Sequence, residues 1–137
     1  VLPTLPNGLN TRLLSEGLNV SEGIRQRIIL ARALVERPAL LILDEALTAV
    51  DEQTKIGILD RIFDPQHPWT LLNISHDADM VLRTDMVHLL AFGSILESGA
   101  PQALAANPNS TFSRLFPELS RSVHWKRAYR ERRLPWN

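Results

Sequence analysis

The sequence predicts an α/β fold with parallel strands, and three observations carry that expectation. The run Leu40-Leu-Ile-Leu43 is short and continuously aliphatic, as in a strand buried on both faces of a parallel sheet. A second apolar stretch, Trp69-Thr-Leu-Leu-Asn-Ile-Ser75, follows about thirty residues later. Between them, Ile56, Leu59, Ile62 and Phe63 recur at helical spacing. Strand, helix and strand in that order are the crossover that parallel pairing requires.

Residues 1–20 are rich in Pro, Gly and Asn and read as loop with short helical pieces. Ser21 is a good N-cap, and Ile24, Ile28, Ala31, Leu34 and Val35 line one face of the helix it opens. Pro38 stops that helix. Residues 39–44 are the first strand, and Asp51 caps the next helix. Pro65 and Pro68 break the chain before the second strand, and Asp77 to Leu82 reads as a short helix. Met86 to Ala91 is a third strand, joined by a turn at Phe92-Gly93-Ser94 to a short strand over Ile95 to Glu97, which adds an antiparallel edge. Pro101 opens a small helix, where proline's missing N–H costs nothing. Residues 107–120 carry breaks at Pro108 and Pro117, and the tail from Arg121 to Asn137 is weakly amphipathic.

At 137 residues the chain suits one domain or part of a larger one, and a hydrophobic fraction of 45% is ordinary for a globular core. Its formal charge of zero is unevenly placed: −5 over residues 1–120 and +5 over 121–137. Such a tail meets an anionic partner, meets the acidic body, or is a solvated helix face. The absence of cysteine excludes disulfide scaffolds and thiolate metal sites and fits a reducing compartment. The longest apolar run, Ala39 to Leu43, is five residues, far short of the roughly 18 that span a bilayer. A start at Val1, with no clear element opening, predicts a fragment whose beginning lies upstream.

The chemistry concentrates where apolar runs end. Asp44 and Glu45 place adjacent carboxylates at a strand's C-terminal end, a costly arrangement unless a metal, a cation or a proton compensates them. One carboxylate can hold a hydrated Mg²⁺ and the other can orient or deprotonate an attacking water. The same pair can simply close a buried strand and cap the following turn. His76 ends the second strand, where ligands bind in open α/β sheets, and can donate to a terminal phosphate. It is equally a surface histidine before a helix cap. Thr48-Ala-Val-Asp51 can reach across an interface or only cap a helix. Val20-Ser-Glu-Gly-Ile24 opens a helix whose exposed backbone N–H groups suit phosphate, with Arg25 and Arg27 nearby, or is a plain capped start.

Taken together, Asn19-Val-Ser-Glu-Gly-Ile-Arg-Gln-Arg27, Ala31-Arg-Ala-Leu34, Leu40-Leu-Ile-Leu-Asp-Glu-Ala46, Thr48-Ala-Val-Asp51 and Ile74-Ser-His76 resemble, in order and spacing, the motifs of ABC-type ATPases. The resemblance runs from about Pro6 to Ala106, with Pro6-Asn-Gly-Leu-Asn-Thr11 similar to the segment before the signature in exporter-type members. Ile95-Leu-Glu97-Ser-Gly99 matches an I-x-E-x-G step in the family's closing strands. It implies a partial P-loop NTPase-like domain, with a mostly parallel sheet, flanking helices and no phosphate-loop half. Residues 1–106 would be the C-terminal part of a nucleotide-binding domain, 1–38 the signature and helical region and 39–106 the Walker B to closing strands. Residues 107–137 would be an extension with a basic tail. The cofactors implied are ATP and Mg²⁺. By resemblance Ser21 and Gly23 contact the γ-phosphate of ATP held by a partner domain. Asp44 supports Mg²⁺ through water, Glu45 is the catalytic base, Asp51 is the D-loop aspartate and His76 is the switch histidine.

Two departures shape the functional expectation. The 137 residues contain no G-x-x-x-x-G-K-[ST] phosphate loop and no glutamine loop, so the chain by itself is expected to show no ATPase activity. The signature, usually Leu-Ser-Gly-Gly-Gln, reads Val20-Ser-Glu-Gly-Ile24. Glu22 puts an anion where glycine lets backbone approach phosphate, and unit charges about 5 Å apart repel by on the order of 3 kcal/mol at an effective dielectric near 20. Either Glu22 turns outward, or the composite site this signature serves is degenerate. The expected function is part of the ATP-hydrolysing motor of an ABC transporter of exporter type. It would lie at the cytoplasmic face of a membrane, with a second nucleotide-binding domain and transmembrane domains as partners and no direct nucleic-acid contact. The alternatives are a soluble ABC-type ATPase acting on nucleic acid or ribosomes, for which the basic tail speaks, and an inactive truncated interaction module.

Overall fold

A computed structural model of the chain describes residues 5–121. The basic tail over 122–137 lies outside the described residues. The chain divides into two compact units, Val1–His76 and Asp77–Asn137.

The first unit opens with two 3₁₀ turns, Gly8–Asn10 and Ser15–Gly17. Helix α1 (Glu22–Val35) follows, with Ser21 as its N-cap, the hydroxyl accepting from the N–H of Ile24. It ends at Glu36, two residues before Pro38, because the residue preceding a proline is pushed out of the helical region. Strand β1 (Leu40–Asp44), helix α2 (Glu52–Ile62) and strand β2 (Thr70–Ile74) then form a β-α-β unit. The strands pair in parallel, from Leu40 opposite Thr70 to Asp44 opposite Ile74. The Trp69 indole N–H donates to the carbonyl of Ile62 and its ring stacks on His67, fixing the approach to β2.

Burial alternates along β1. Leu41 and Leu43 are buried, as are Leu47, Leu59 and Ile62, and each fully buried aliphatic side chain contributes about 1.5–3 kcal/mol. The opposite face is open. Leu40 and Ile42 of β1 are 51% and 55% exposed, and Leu72 and Ile74 beside them are each 50% exposed. The expectation of a strand buried on both faces is therefore corrected: among the described residues, only one face of β1 is covered.

The second unit begins with α3 (Ala78–Val81), capped by the Asp77 carboxylate, which accepts from the N–H groups of Asp79 and Met80. Strands β3 (Val87–Ala91) and β4 (Ser94–Gly99) form an antiparallel hairpin with a bulge between Leu89 and Leu90. Its two-residue turn, Phe92-Gly93, has φ of +50° and +73°, the left-handed pair that matches strand twist in tight hairpins. Helices α4 (Pro101–Ala106), α5 (Thr111–Leu115) and α6 (Pro117–Arg121) follow. Val81, Ala105, Phe112, Phe116 and Leu119 form the core here, so residues on both sides of position 106 share one apolar cluster.

The α/β class holds. Its ladders are one parallel pair and one antiparallel pair in separate two-stranded sheets, not a continuous sheet. No described helix is long and apolar enough to cross a membrane.

Candidate functional site

The site is built where β1 and β2 end side by side. Parallel register sets Asp44 opposite Ile74, and the Glu45 N–H donates to the Ile74 carbonyl at 2.9 Å, carrying the ladder one step past the strand. The chain then turns sharply. Glu45 has φ of +45° and Leu47 has φ of +66°, both in the left-handed region that non-glycine residues avoid at a cost of about 1–3 kcal/mol each. Leu47 is anchored by burial, at 1% exposure.

This turn delivers Glu45 to His76. Glu45 Oε1 lies 3.0 Å from His76 Nδ1, with the carboxylate half exposed and the imidazole 84% exposed. A carboxylate can only accept here, so Nδ1 carries the proton in this contact. Two residues singled out from separate strand ends are thus brought into direct contact across 31 positions of sequence. Asp44 is exposed at the end of β1.

A second group of expected residues gathers at the start of α1. Ser21 caps the helix. Gly23 lies against the loop between Glu45 and Asp51 so closely that an added Cβ would sit 2.5 Å from the Ala49 carbonyl oxygen. Glycine is required there by close approach, not by its own dihedral angles. The Arg27 Nε–H donates back to the carbonyl of Gly23. The Glu22 carboxylate pairs with the Arg25 guanidinium one turn along, both side chains being roughly half exposed. The Arg25 guanidinium thereby offsets the Glu22 charge at the start of α1. Asp51 caps α2 by accepting from the N–H of Thr54 at 3.0 Å. That bond holds the Asp51 carboxyl below its usual pKa range, with a smaller contribution from the positive charge of Arg27.

Sequence reasoning missed Gln26. Its Oε1 accepts from the Ala49 N–H and its Nε2 donates to Thr48 Oγ1, each at 3.1 Å. The available signal was its position three residues after Gly23, which puts both on one helix face.

No group of three or more Asp, Glu or His suited to a metal ion occurs among the described residues. The donor chemistry therefore does not suit an ion held by protein alone. An exposed carboxylate such as that of Asp44 is chemically suited to Mg²⁺ that keeps most of its waters. An apolar recess of about 360 Å³ lined by Leu13, Gly17, Val20, Arg25, Ile28 and Ile29 includes none of the acids or His76.

The family model described as ABC transporter matches residues 3–48. Multidrug resistance protein mrp-7 of Caenorhabditis elegans is 39% identical over 116 residues, 85% of this chain and 8% of that protein. The mitochondrial iron-sulfur clusters transporter ABCB7 of Homo sapiens is 32% identical over 119 residues, 87% of this chain and 16% of that protein. Among solved structures, a bacterial Atm1-family ABC exporter with ATP bound superposes with a TM-score of 0.78 at 26% identity, covering 88% of this chain and 21% of that one. The chain spans between 8% and 18% of the length of the curated relatives it matches. By motif order, by fold and by these relatives, the chain belongs to the ABC transporter family, as part of an ATP-binding domain.

Proposed function

We propose that this chain supplies the acid and histidine of an ATP-hydrolysing motor in an ABC exporter, working at the cytoplasmic face of a membrane. The observation that carries the reading is the 3.0 Å contact between His76 and Glu45 at adjacent parallel strand ends. Ligands of open α/β sheets bind beyond the carboxyl ends of the strands, which is where both groups lie.

In this reading Glu45 is the base. It orients a water toward the terminal phosphorus of ATP and takes its proton as the oxygen–phosphorus bond forms, while the bond to the bridging oxygen breaks and ADP leaves with that electron pair. His76 turns Nδ1 to Glu45, so Nε2 is the atom that reaches a terminal phosphate oxygen, donating when the ring is protonated. Asp44 would hold Mg²⁺ through water, and that ion when bound supplies charge neutralisation on the phosphates. Ser21 and Gly23 face the nucleotide of a second nucleotide-binding domain, and Asp51 lies in the loop between the two groups. Transmembrane domains would convert closure and reopening into transport. Residues 1–106 are the nucleotide-binding part in this scheme and 107–137 the extension. The 137 residues alone turn over no ATP, because their sequence contains no phosphate loop.

The test is Glu45→Gln in the complete protein that contains this chain. Hydrolysis should fall by about 10²–10⁴-fold, the usual contribution of a positioned base, while ATP still binds. Unchanged turnover would refute the assignment.

A further inference from the structure

The turn between Glu45 and Asp51 is an unlikely object to stand unsupported. It holds two non-glycine residues in the left-handed region, and such conformations persist only where the surroundings over-determine them. Three supports act on the loop itself. At one end the Glu45 N–H is tied to Ile74, and at the other the carbonyl of Asp51 accepts from Lys55 as α2 begins. Leu47 is buried in between.

The fourth support comes from another element. Gln26 projects from α1 on the same face as Gly23 and grips two consecutive loop residues, taking the Ala49 N–H on Oε1 and giving Nε2–H to Thr48 Oγ1. A side-chain amide can accept and donate at once within a single plane, which matches two adjacent loop partners of opposite kind. Gly23, with no Cβ, lets the Ala49 carbonyl come into contact with the helix, so the grip has no slack.

We infer that Gln26 is a positioning residue, its amide clamping the Thr48–Ala49 edge to α1 so that the turn presenting Glu45 is set by the helix carrying Ser21 and Gly23. This rests on the function proposed above for Glu45. It adds a mechanical link: the helix start that would face one nucleotide and the acid that would act on another are joined through one side chain. Coupling of this kind is reciprocal, so a nucleotide that settles the start of α1 also settles the Glu45 turn.

The test compares Gln26→Met and Gln26→Glu in the complete protein. Methionine keeps length and helix propensity and removes both bonds. A glutamate carboxylate still accepts from the Ala49 N–H and from the Thr48 hydroxyl. Without nucleotide, amide exchange over residues 47–50 should speed up about five- to tenfold in Gln26→Met, as two exposed hydrogen bonds at the low end of the usual net contribution are lost, and return toward wild type in Gln26→Glu. Under turnover, Gln26→Met should lower kcat at least tenfold with KM for ATP little changed, since misplacing a reacting group costs rate more than binding. Unchanged exchange overturns the clamp. Faster exchange with unchanged kcat overturns the positioning role. If the wild-type protein hydrolyses no ATP, the function proposed for Glu45 fails, and the exchange result still decides whether Gln26 clamps the loop.

Discussion

Replacing Gly23 with alanine sets two magnitudes of opposite sign against each other. An alanine Cβ at this position would lie 2.5 Å from the Ala49 carbonyl oxygen, 3.3 Å from the Ala49 carbonyl carbon and 3.6 Å from the Val50 Cα. All three are main-chain atoms, so no rotamer change relieves the clash. Reaching an ordinary contact of 3.4 Å requires the loop or the helix to move by about 0.9 Å. Overpacking of this kind costs typically about 1–3 kcal/mol. Against it stands helix propensity, which favours alanine over glycine by about 1 kcal/mol in a helix interior and less near the end. Gly57, in the middle of α2, provides the control, because nothing lies within 4 Å of its added Cβ. The assay is amide exchange in the complete protein without nucleotide, read over residues 22–26 and 47–50. With about 0.5 kcal/mol of propensity subtracted, Gly23→Ala should speed exchange there by about 2- to 70-fold, the equivalent of about 0.5–2.5 kcal/mol of local stability. Gly57→Ala should slow exchange in α2. If Gly23→Ala also slows exchange, the contact with Ala49 does not constrain the loop and the reasoning fails.

Glu97 gives a pH dependence of known sign. Its carboxylate accepts from the Thr111 N–H at 2.5 Å and the Phe112 N–H at 3.1 Å, and these bonds hold its pKa below the ordinary 4.5. A depressed carboxylate stabilises the fold at all pH above the unfolded value, and that stability is lost as pH falls through the folded value. Acid titration followed by circular dichroism or exchange over 111–115 should therefore show α5 loosening below about pH 4.5, and Glu97→Gln should weaken α5 at neutral pH and remove that acid slope. Glu22→Gly removes an anion and releases Arg25, so ATP affinity at the composite site should tighten about fivefold, roughly 1 kcal/mol for a half-exposed, screened pair. Nucleotide titration of the complete protein reads this, and an unchanged affinity would mean that Glu22 has no influence on the site.

Local rules explain what was legible beforehand. Ser21 and Asp51 were readable as caps because a short oxygen-bearing side chain before an apolar-periodic run has one good use. Pro101 and the Phe92-Gly93 turn were readable for the same kind of reason. The Glu45–His76 contact followed from parallel pairing, which brings strand ends together. What stayed hidden depends on tertiary contacts. Helices α5 and α6 are five residues each, too short to show periodicity, and they exist because Phe112, Phe116 and Leu119 reach a shared core. The spacing of Gln26 from Gly23 put both on one helix face, but the loop residues that Gln26 binds are tertiary partners that this spacing does not name. The left-handed turn at Glu45 and Leu47 breaks local preference, as strained functional segments do. The open face of β1 was invisible because an aliphatic run looks alike whether one side or both are covered.

That open face has a practical consequence. Leu40, Ile42, Leu72 and Ile74 form an oily ladder on a sheet of only two described strands, whose outer edges can recruit further backbone. Made by itself in a cell, such a polypeptide would be a client for chaperones and a target for quality-control proteases. Its lifetime would be governed less by its own fold than by how quickly something greasy arrives to shield those four side chains.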